Sequence, residues 1–308
     1  MGVTIVTTCT DRKRIGMAEG PRAATLPAGS QEDLGKAWLE AVAACTDKRR
    51  ARDLYCGRSF REAEEATKAT KGRLLVISAG MGLLDADAEI PHYDLTLTRG
   101  SADEIASRCK GTFDPGAWWT QVNRGATHPI ARRMRESPND IFVVCLSKSY
   151  ARLVEQDLLS LGPAERERLR LVGPALDKHV AVGLAPCVLP YDARLDGKGS
   201  RHAGTLSDFA SRAARHFVTE VFARLPDAGT HDHAREVEAA LSAWTAPART
   251  SRTSMADGDI VDAIVSSLPD VGRNSGRMLR HLRDELAIAC EQKRFSSLYK
   301  VAIERISR

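Results

Sequence analysis

A chain of 308 residues, 43% of them hydrophobic, is long enough to bury a full α/β core and leave length for a second, smaller domain. Lys and Arg number 45 against 40 Asp and Glu, a net charge of +5, which is too mild to argue for nucleic acid by itself. Seven cysteines without C-x-x-C spacing argue against a disulfide framework or a zinc site; no apolar run is of membrane-spanning length and no basic-then-apolar leader opens the chain, so a soluble, cytoplasmic protein with no membrane partner is expected.

The first predicted strand, Val3 to Thr8, empties into Cys9-Thr-Asp-Arg-Lys-Arg14. Residues 21–30, rich in Pro, Gly and Ala, read as loop. Residues 32–45 carry Leu34, Trp38, Leu39 and Val42 at helical spacing, and 59–70 reads as another amphipathic helix. The apolar run after Arg73 delivers Ser78-Ala-Gly80, the pattern of a buried parallel strand handing a loop to a ligand-binding edge. Residues 85–98 are irregular, and Pro91 argues against a central strand, so a long functional loop or an edge excursion is expected there. Helices follow from Asp114 and over 130–136; a third strand opens at Asp140 and ends near Ser147-Lys148. A helix over 150–161 and a short strand at 169–172 come next. A fifth strand is expected over 180–191, reaching Tyr191-Asp192, and a helix running to Phe222 has Thr205 or Ser207 as its cap.

Strands alternating with helices, and lacking tight hairpins, predict an α/β fold over 1–224 with a mostly parallel central sheet flanked by helices. Residues 225–254 read as a helical segment and a linker rich in Pro, Ser, Thr and Arg, and 255–308 as a small helical, helix-turn-helix-like domain. From Arg273 onward nine basic residues stand against four acidic, an excess equal to that of the whole chain. Arg273, Arg277, Arg280, Arg283, Lys293 and Arg294 are the DNA-contact candidates of that domain.

In open α/β sheets ligands bind outside the carboxyl ends of the strands, so the strand-end residues are the candidate site. Cys9, Asp11, Arg12 and Lys13 form a cationic turn suited to a phosphate, the bland alternative being a solvated charged turn. Arg52 and Tyr55 suit a grip on phosphate and a stack on a base, against an ordinary helix cap packed by Leu54 and Phe60. Ser78, Ala79 and Gly80 are small enough for a ligand to approach the backbone, with Ser78 hydrogen-bonding it rather than attacking it, since the Gly-x-Ser-x-Gly spacing is absent. Tyr93-Asp94 and Tyr191-Asp192, the latter with Arg194 close by, each set an aromatic face beside a carboxylate. That pairing suits a nucleobase or ribose, with Asp94 or Asp192 as the catalytic carboxylate; in the plainer reading each Asp caps a turn and each Tyr fills the sheet edge. Ser147 and Lys148 are a further phosphate contact or a helix cap. No Gly-x-Gly-x-x-Gly occurs, and Gly197-Lys-Gly-Ser200 lacks the setting of a P-loop, which excludes nucleoside triphosphate hydrolysis of that type. His231-Asp-His233 lacks a third ligand, so neither a metal nor a cofactor is expected.

The Cys-x-x-x-Lys at the first strand end, Ala-Arg-Asp-Leu-Tyr-x-Gly-x-x-Phe from Ala51, and Val-Ile-Ser-Ala-Gly-x-Gly-Leu with Pro-x-Tyr-Asp-Leu-Thr after it resemble an uncharacterised bacterial domain family found near mobile elements and phage-defence genes. More distantly they look like the YaaA peroxide-stress proteins and the archaeosine synthase core domain. The resemblance covers residues 3–98 and implies an α/β domain handling a nucleobase or nucleotide, with Cys9, Lys13, Arg52, Tyr55, Ser78, Gly80, Tyr93 and Asp94 as the matching positions. Nucleic acid, DNA foremost, is the partner expected through the basic 255–308 domain, with proteins of a defence system as further partners. Base-modifying or glycosidic-bond chemistry is the first expectation; a non-catalytic nucleotide sensor, or a DNA- or protein-docking module, is the alternative.

Overall fold

From Val3 to Thr7 the first strand, β1 (Gly2–Thr8), is buried on both faces, as its β-branched Val, Ile and Thr residues suit at the centre of a parallel sheet. The computed structural model describes residues 2–14, 16–248 and 252–306, the side chain of Lys293 excepted; Arg249, Thr250 and Ser251 of the expected linker lie outside the described residues. The chain forms two units, Met1–Pro247 and Ala248–Arg308.

After β1 the first unit carries α1 (Gln31–Ala43), β2 (Arg49–Arg50), α2 (Ala51–Leu54), α3 (Arg58–Thr70), β3 (Arg73–Ser78), β4 (Gly82–Asp85) and β5 (Glu89–Ile90). It continues with α4 (Pro115–Val122), α5 (Pro129–Glu136), β6 (Asp140–Cys145), α6 (Lys148–Leu159), α7 (Pro163–Glu167), β7 (Leu169–Val172), α8 (Phe209–His216) and α9 (Thr230–Ser242). The central sheet has the order β4-β3-β1-β6-β7, with β3, β1, β6 and β7 parallel and β4 antiparallel to β3. The crossovers from β1 to β3 and from β6 to β7 step in opposite directions along the sheet, and right-handed connections then send α3 and α6 to opposite faces. Accordingly α3 packs with α8, and α6 with α4. The helix α9 packs on the unit through the π-helical turn Phe217–Phe222 that follows α8, so residues 225–247 are part of this unit.

Two sequence expectations are corrected. A tight hairpin does exist, because Gly82, at φ +73, lets β3 turn straight back into β4 with Ser78 opposite Gly82; a side chain rarely takes that backbone conformation. The expected fifth strand over 180–191 is instead a 3-10 helix, Val182–Cys187, with Pro186 inside it. Pro186 has no N–H for a ladder, and only one bridge, Leu171 to Val188, extends the sheet there.

In the second unit β8 (Thr253–Ser254) pairs in parallel with β9 (Ile288–Ala289), and α10 (Asp257–Val271), α11 (Ser275–Asp284) and α12 (Gln292–Ile306) enclose a core that includes Ile260, Ile264, Met278, Leu282, Phe295 and Ala302. Gly272, at φ +77, ends α10, and Asn274 opens α11 by accepting the Arg277 N–H at 2.9 Å, the usual work of an amino-terminal cap.

Candidate functional site

Because β1 lies between β3 and β6, the carboxyl ends of β1 and β6 flank the point where the strand order reverses, the crevice that binds ligands in doubly wound sheets. Cys9, the residue after β1, reaches across this point: its Sγ lies 3.0 Å from Oη of Tyr150, in the first turn of α6. On the β3 side, Tyr93 Oη is 2.6 Å from Ser78 Oγ and 2.7 Å from Tyr55 Oη. Lys13 bridges to Tyr55 in antiparallel fashion, and its Nζ lies 4.6 Å over the Tyr93 ring and 3.5 Å from Asp94 Oδ1. Arg22 approaches the other Asp94 oxygen at 3.7 Å. Lys13, Tyr55, Ser78, Tyr93 and Asp94 are therefore one cluster. Burial, reinforced by the neighbouring Cys9 sulfur, pushes the Tyr55, Tyr93 and Tyr150 phenols upward, so all three stay protonated.

The small residues of this edge admit indoles. Trp118 Nε1 donates to the Ala79 carbonyl at 2.7 Å and Trp38 Nε1 to the Gly80 carbonyl at 2.6 Å. A Cβ on Gly80 would meet ring atoms of Trp38 and Tyr93 at 2.9 Å. The buried Ser78 hydroxyl accepts the N–H groups of Gly80 and Met81, at 3.2 and 2.9 Å, and so pins the turn. Arg52 is paired with Asp87 at 2.7 Å, whereas Asp11 and Arg12 are exposed.

Tyr191, Asp192 and Arg194 form a different cluster. Tyr191 is buried with its Oη 2.7 Å from His216 Nδ1. Asp192 caps a 3-10 turn and holds Arg194 at 2.9 Å, and Arg194 forks onto Glu238 of α9 at 2.7 and 2.8 Å. His233 has both ring nitrogens engaged, with Arg170 and with the Leu225 carbonyl. Among the described residues no group of three or more His, Cys, Asp or Glu side chains is placed to hold a metal ion.

A cleft of about 1040 Å³ opens between the amino ends of α6 and α4 and the segment 97–113. Ser147, Lys148 and Ser149 line it, immediately before Tyr150. Asp114 is occupied as the cap of α4, accepting the N–H groups of Gly116 and Ala117, and Glu104 accepts the Gly100 N–H at 2.7 Å. Arg99, Lys148, Arg152 and Glu155 line the same cleft and have no hydrogen-bond or ion-pair partner among the described residues. The Ser147 hydroxyl turns to Ser149 at 3.2 Å, so no side chain caps the amides of α6. Those amides, with three unpaired cations, are an anion-binding arrangement, and half-buried Phe113 adds an aromatic wall. Sequence reading missed Arg99, Phe113, Arg152 and Glu155. A signal existed for two of them: positions 148, 152 and 155 fall on one helical face.

A model described as a family of unknown function (DUF6884) matches residues 42–169. The chain is similar to that family over this span, which takes in β3, β6, α6, the cleft and Tyr55, Ser78, Tyr93 and Asp94 but neither the Cys9–Lys13 turn nor Tyr191–Arg194. No curated protein and no solved structure matches the chain.

In the second unit Arg283 donates twice to the Cys290 carbonyl, at 3.0 and 2.7 Å, and Arg294 is held by Asp257 and the Met255 carbonyl. Arg273, Arg277 and Arg280 are exposed; the Lys293 side chain lies outside the described residues. No described helix is long and apolar enough to cross a membrane.

Proposed function

We propose that the α/β unit binds a nucleotide in the cleft beside the β1–β6 switch point, its phosphate on Lys148, Arg152, Arg99 and the α6 amides and its base against Phe113. The observation that carries this reading is the set of three unpartnered cations in one concave site, where Glu104 and Asp114 are turned to backbone N–H groups and Glu155 is the remaining carboxylate. An unpaired cation facing solvent gains by pairing with phosphate oxygens as charge-assisted hydrogen bonds form. The resemblance of the strand-end motifs to families that handle nucleobases supports the same ligand class. The Lys13–Asp94–Arg22 ion pairs anchor the stretch that leads to Leu97 and Arg99 at the cleft wall.

Chemistry at the glycosidic bond is part of this reading, because Glu155 is a cleft carboxylate that no neighbour neutralises. A carboxylate beside a ribose stabilises the oxocarbenium-like centre that forms as the C1′–N bond breaks, after which water adds at C1′ and the base leaves carrying a proton. Asp192 is the weaker candidate, since Arg194 already neutralises it.

Calorimetric titration with a nucleoside monophosphate, the corresponding nucleoside and inorganic phosphate tests the proposal. Replacing Lys148 and Arg152 together by Ala should weaken the monophosphate at least about tenfold, since hydrogen bonds to charged groups contribute about 1.5–3 kcal/mol each, and leave the nucleoside unchanged. Unaltered monophosphate affinity would sink the reading. Glu155→Gln should abolish release of free base while nucleotide affinity persists; loss of affinity alone would make the unit a sensor.

A further inference from the structure

The second unit sorts its charges. Asp284 pairs with Arg252, Glu285 with His281, Asp257 with Arg294 and Asp262 with Arg305, and Arg283 is spent on a backbone carbonyl. Arg273, in the turn before α11, and Arg277 and Arg280, three residues apart on one face of that helix, enter none of these pairs. All three are exposed, and among the described residues their guanidinium groups have no partner. The acidic residues at the carboxyl end of α11, Asp284 and Glu285, contact Arg252 and His281, and the exposed Asp270, in the last turn of α10, is the one carboxylate close in sequence to Arg273. The turn itself is held: Tyr299 of α12 donates its hydroxyl to the Arg273 carbonyl at 2.6 Å.

Helix α10, a connection of residues 272–274 and helix α11 follow one another as in helix-turn-helix modules, which present the amino-terminal half of the second helix to the duplex. We infer that the exposed face of α11, through Arg273, Arg277 and Arg280, binds the phosphate backbone of duplex DNA. The chemistry of the face selects this partner. The exposed large apolar residues of the unit, Leu286, Val301 and Ile306, lie off α11, so the face has no wedge for a bilayer and no anchor for a protein pocket. It also lacks an exposed aromatic ring on which single-stranded bases would stack.

The test is fluorescence anisotropy of the full chain with a labelled duplex at several salt concentrations. The wild type should bind at low salt, with log affinity falling linearly against log salt. Replacing Arg277 and Arg280 by Ala should flatten that slope by about 1 for each arginine and weaken binding in step, while Arg277→Lys with Arg280→Lys retains the slope, because counterion release depends on the positive charge at the phosphate. Both sites are exposed and unpartnered, so circular dichroism of the variants should match the wild type. The Lys148 and Arg152 replacements should leave the anisotropy unchanged, which keeps this result separate from nucleotide binding in the cleft. The inference is overturned if the wild type does not bind the duplex at low salt or if the double alanine variant keeps wild-type affinity and slope. Preference for phosphatidylserine vesicles or single strands over the duplex would overturn it as well.

Discussion

Single atoms decide how the strand-end cluster is built. Gly80 is needed because Trp38 and Tyr93 close on it from two sides, each within 2.9 Å of where a Cβ would stand. Both rings are fully buried, so neither can swing away, and Gly80→Ala should cost about 1–3 kcal/mol by overpacking, read as a lower urea midpoint at unchanged m-value. Tyr93 acts in the opposite sense, through what it satisfies. Its hydroxyl is the partner of both Ser78 and Tyr55. Tyr93→Phe leaves the buried Tyr55 hydroxyl without its partner, at about 1–3 kcal/mol. The double variant with Tyr55→Phe should recover part of the loss; a double variant no more stable than the single one would show that the stranded Tyr55 hydroxyl carries no penalty.

At the scale of elements, the sequence disclosed what one strand's own composition determines and concealed what a partner supplies. The buried runs ending at Ser78 and Cys145 announce themselves by apolar continuity and the one ending at Thr8 by β-branched residues, and with them the carboxyl edge where Cys9, Ser78 and Ser147 lie. Lys13, Tyr55, Ser78, Tyr93 and Asp94 do touch one another beside that edge, whereas Asp192, expected with them, is held by Arg194. Tyr191 and Asp192 repeat the Tyr-Asp pairing of Tyr93 and Asp94, but the sheet does not continue through Pro186, and His216 and Arg194 claim them instead. The cleft was illegible because its walls come from segments far apart in sequence, and no local pattern marks Phe113 or Arg99 as facing Lys148. Long-range ties of the same kind fix α9. The buried Arg170 of β7 reaches His233 at 3.0 Å, Thr230 at 2.7 Å and the Ala228 carbonyl at 3.3 Å, and burial lowers its guanidinium to about 10. Arg170→Met strips these acceptors of their donor. It should loosen α9 first, so hydrogen exchange over 230–242 should accelerate before exchange over β1 does; uniform acceleration would show that α9 is not held separately by this residue.

Across the first unit, three buried or half-buried histidines set the response to acid. Burial lowers His216 to about 4, with His202 adding repulsion, and burial likewise lowers His202 and His233. His216 sits between Tyr191 and Trp244, with His202 edge-on to it, so a charge there has poor solvation. The folded state thus binds fewer protons than the unfolded chain, whose imidazoles titrate near the ordinary value. Stability is therefore complete above about pH 6.5 and drains away as the pH falls from there toward 4. For His216 alone the full shift corresponds to at most about 3 kcal/mol. Urea midpoints measured at neutral pH and near pH 5 should differ more for the wild type than for His216→Asn, because the variant has no imidazole to protonate there. Carboxylates titrate equally in both proteins and cancel from that comparison. Parallel pH profiles would mean that His216 is protonated in the folded state without cost, contrary to its packing.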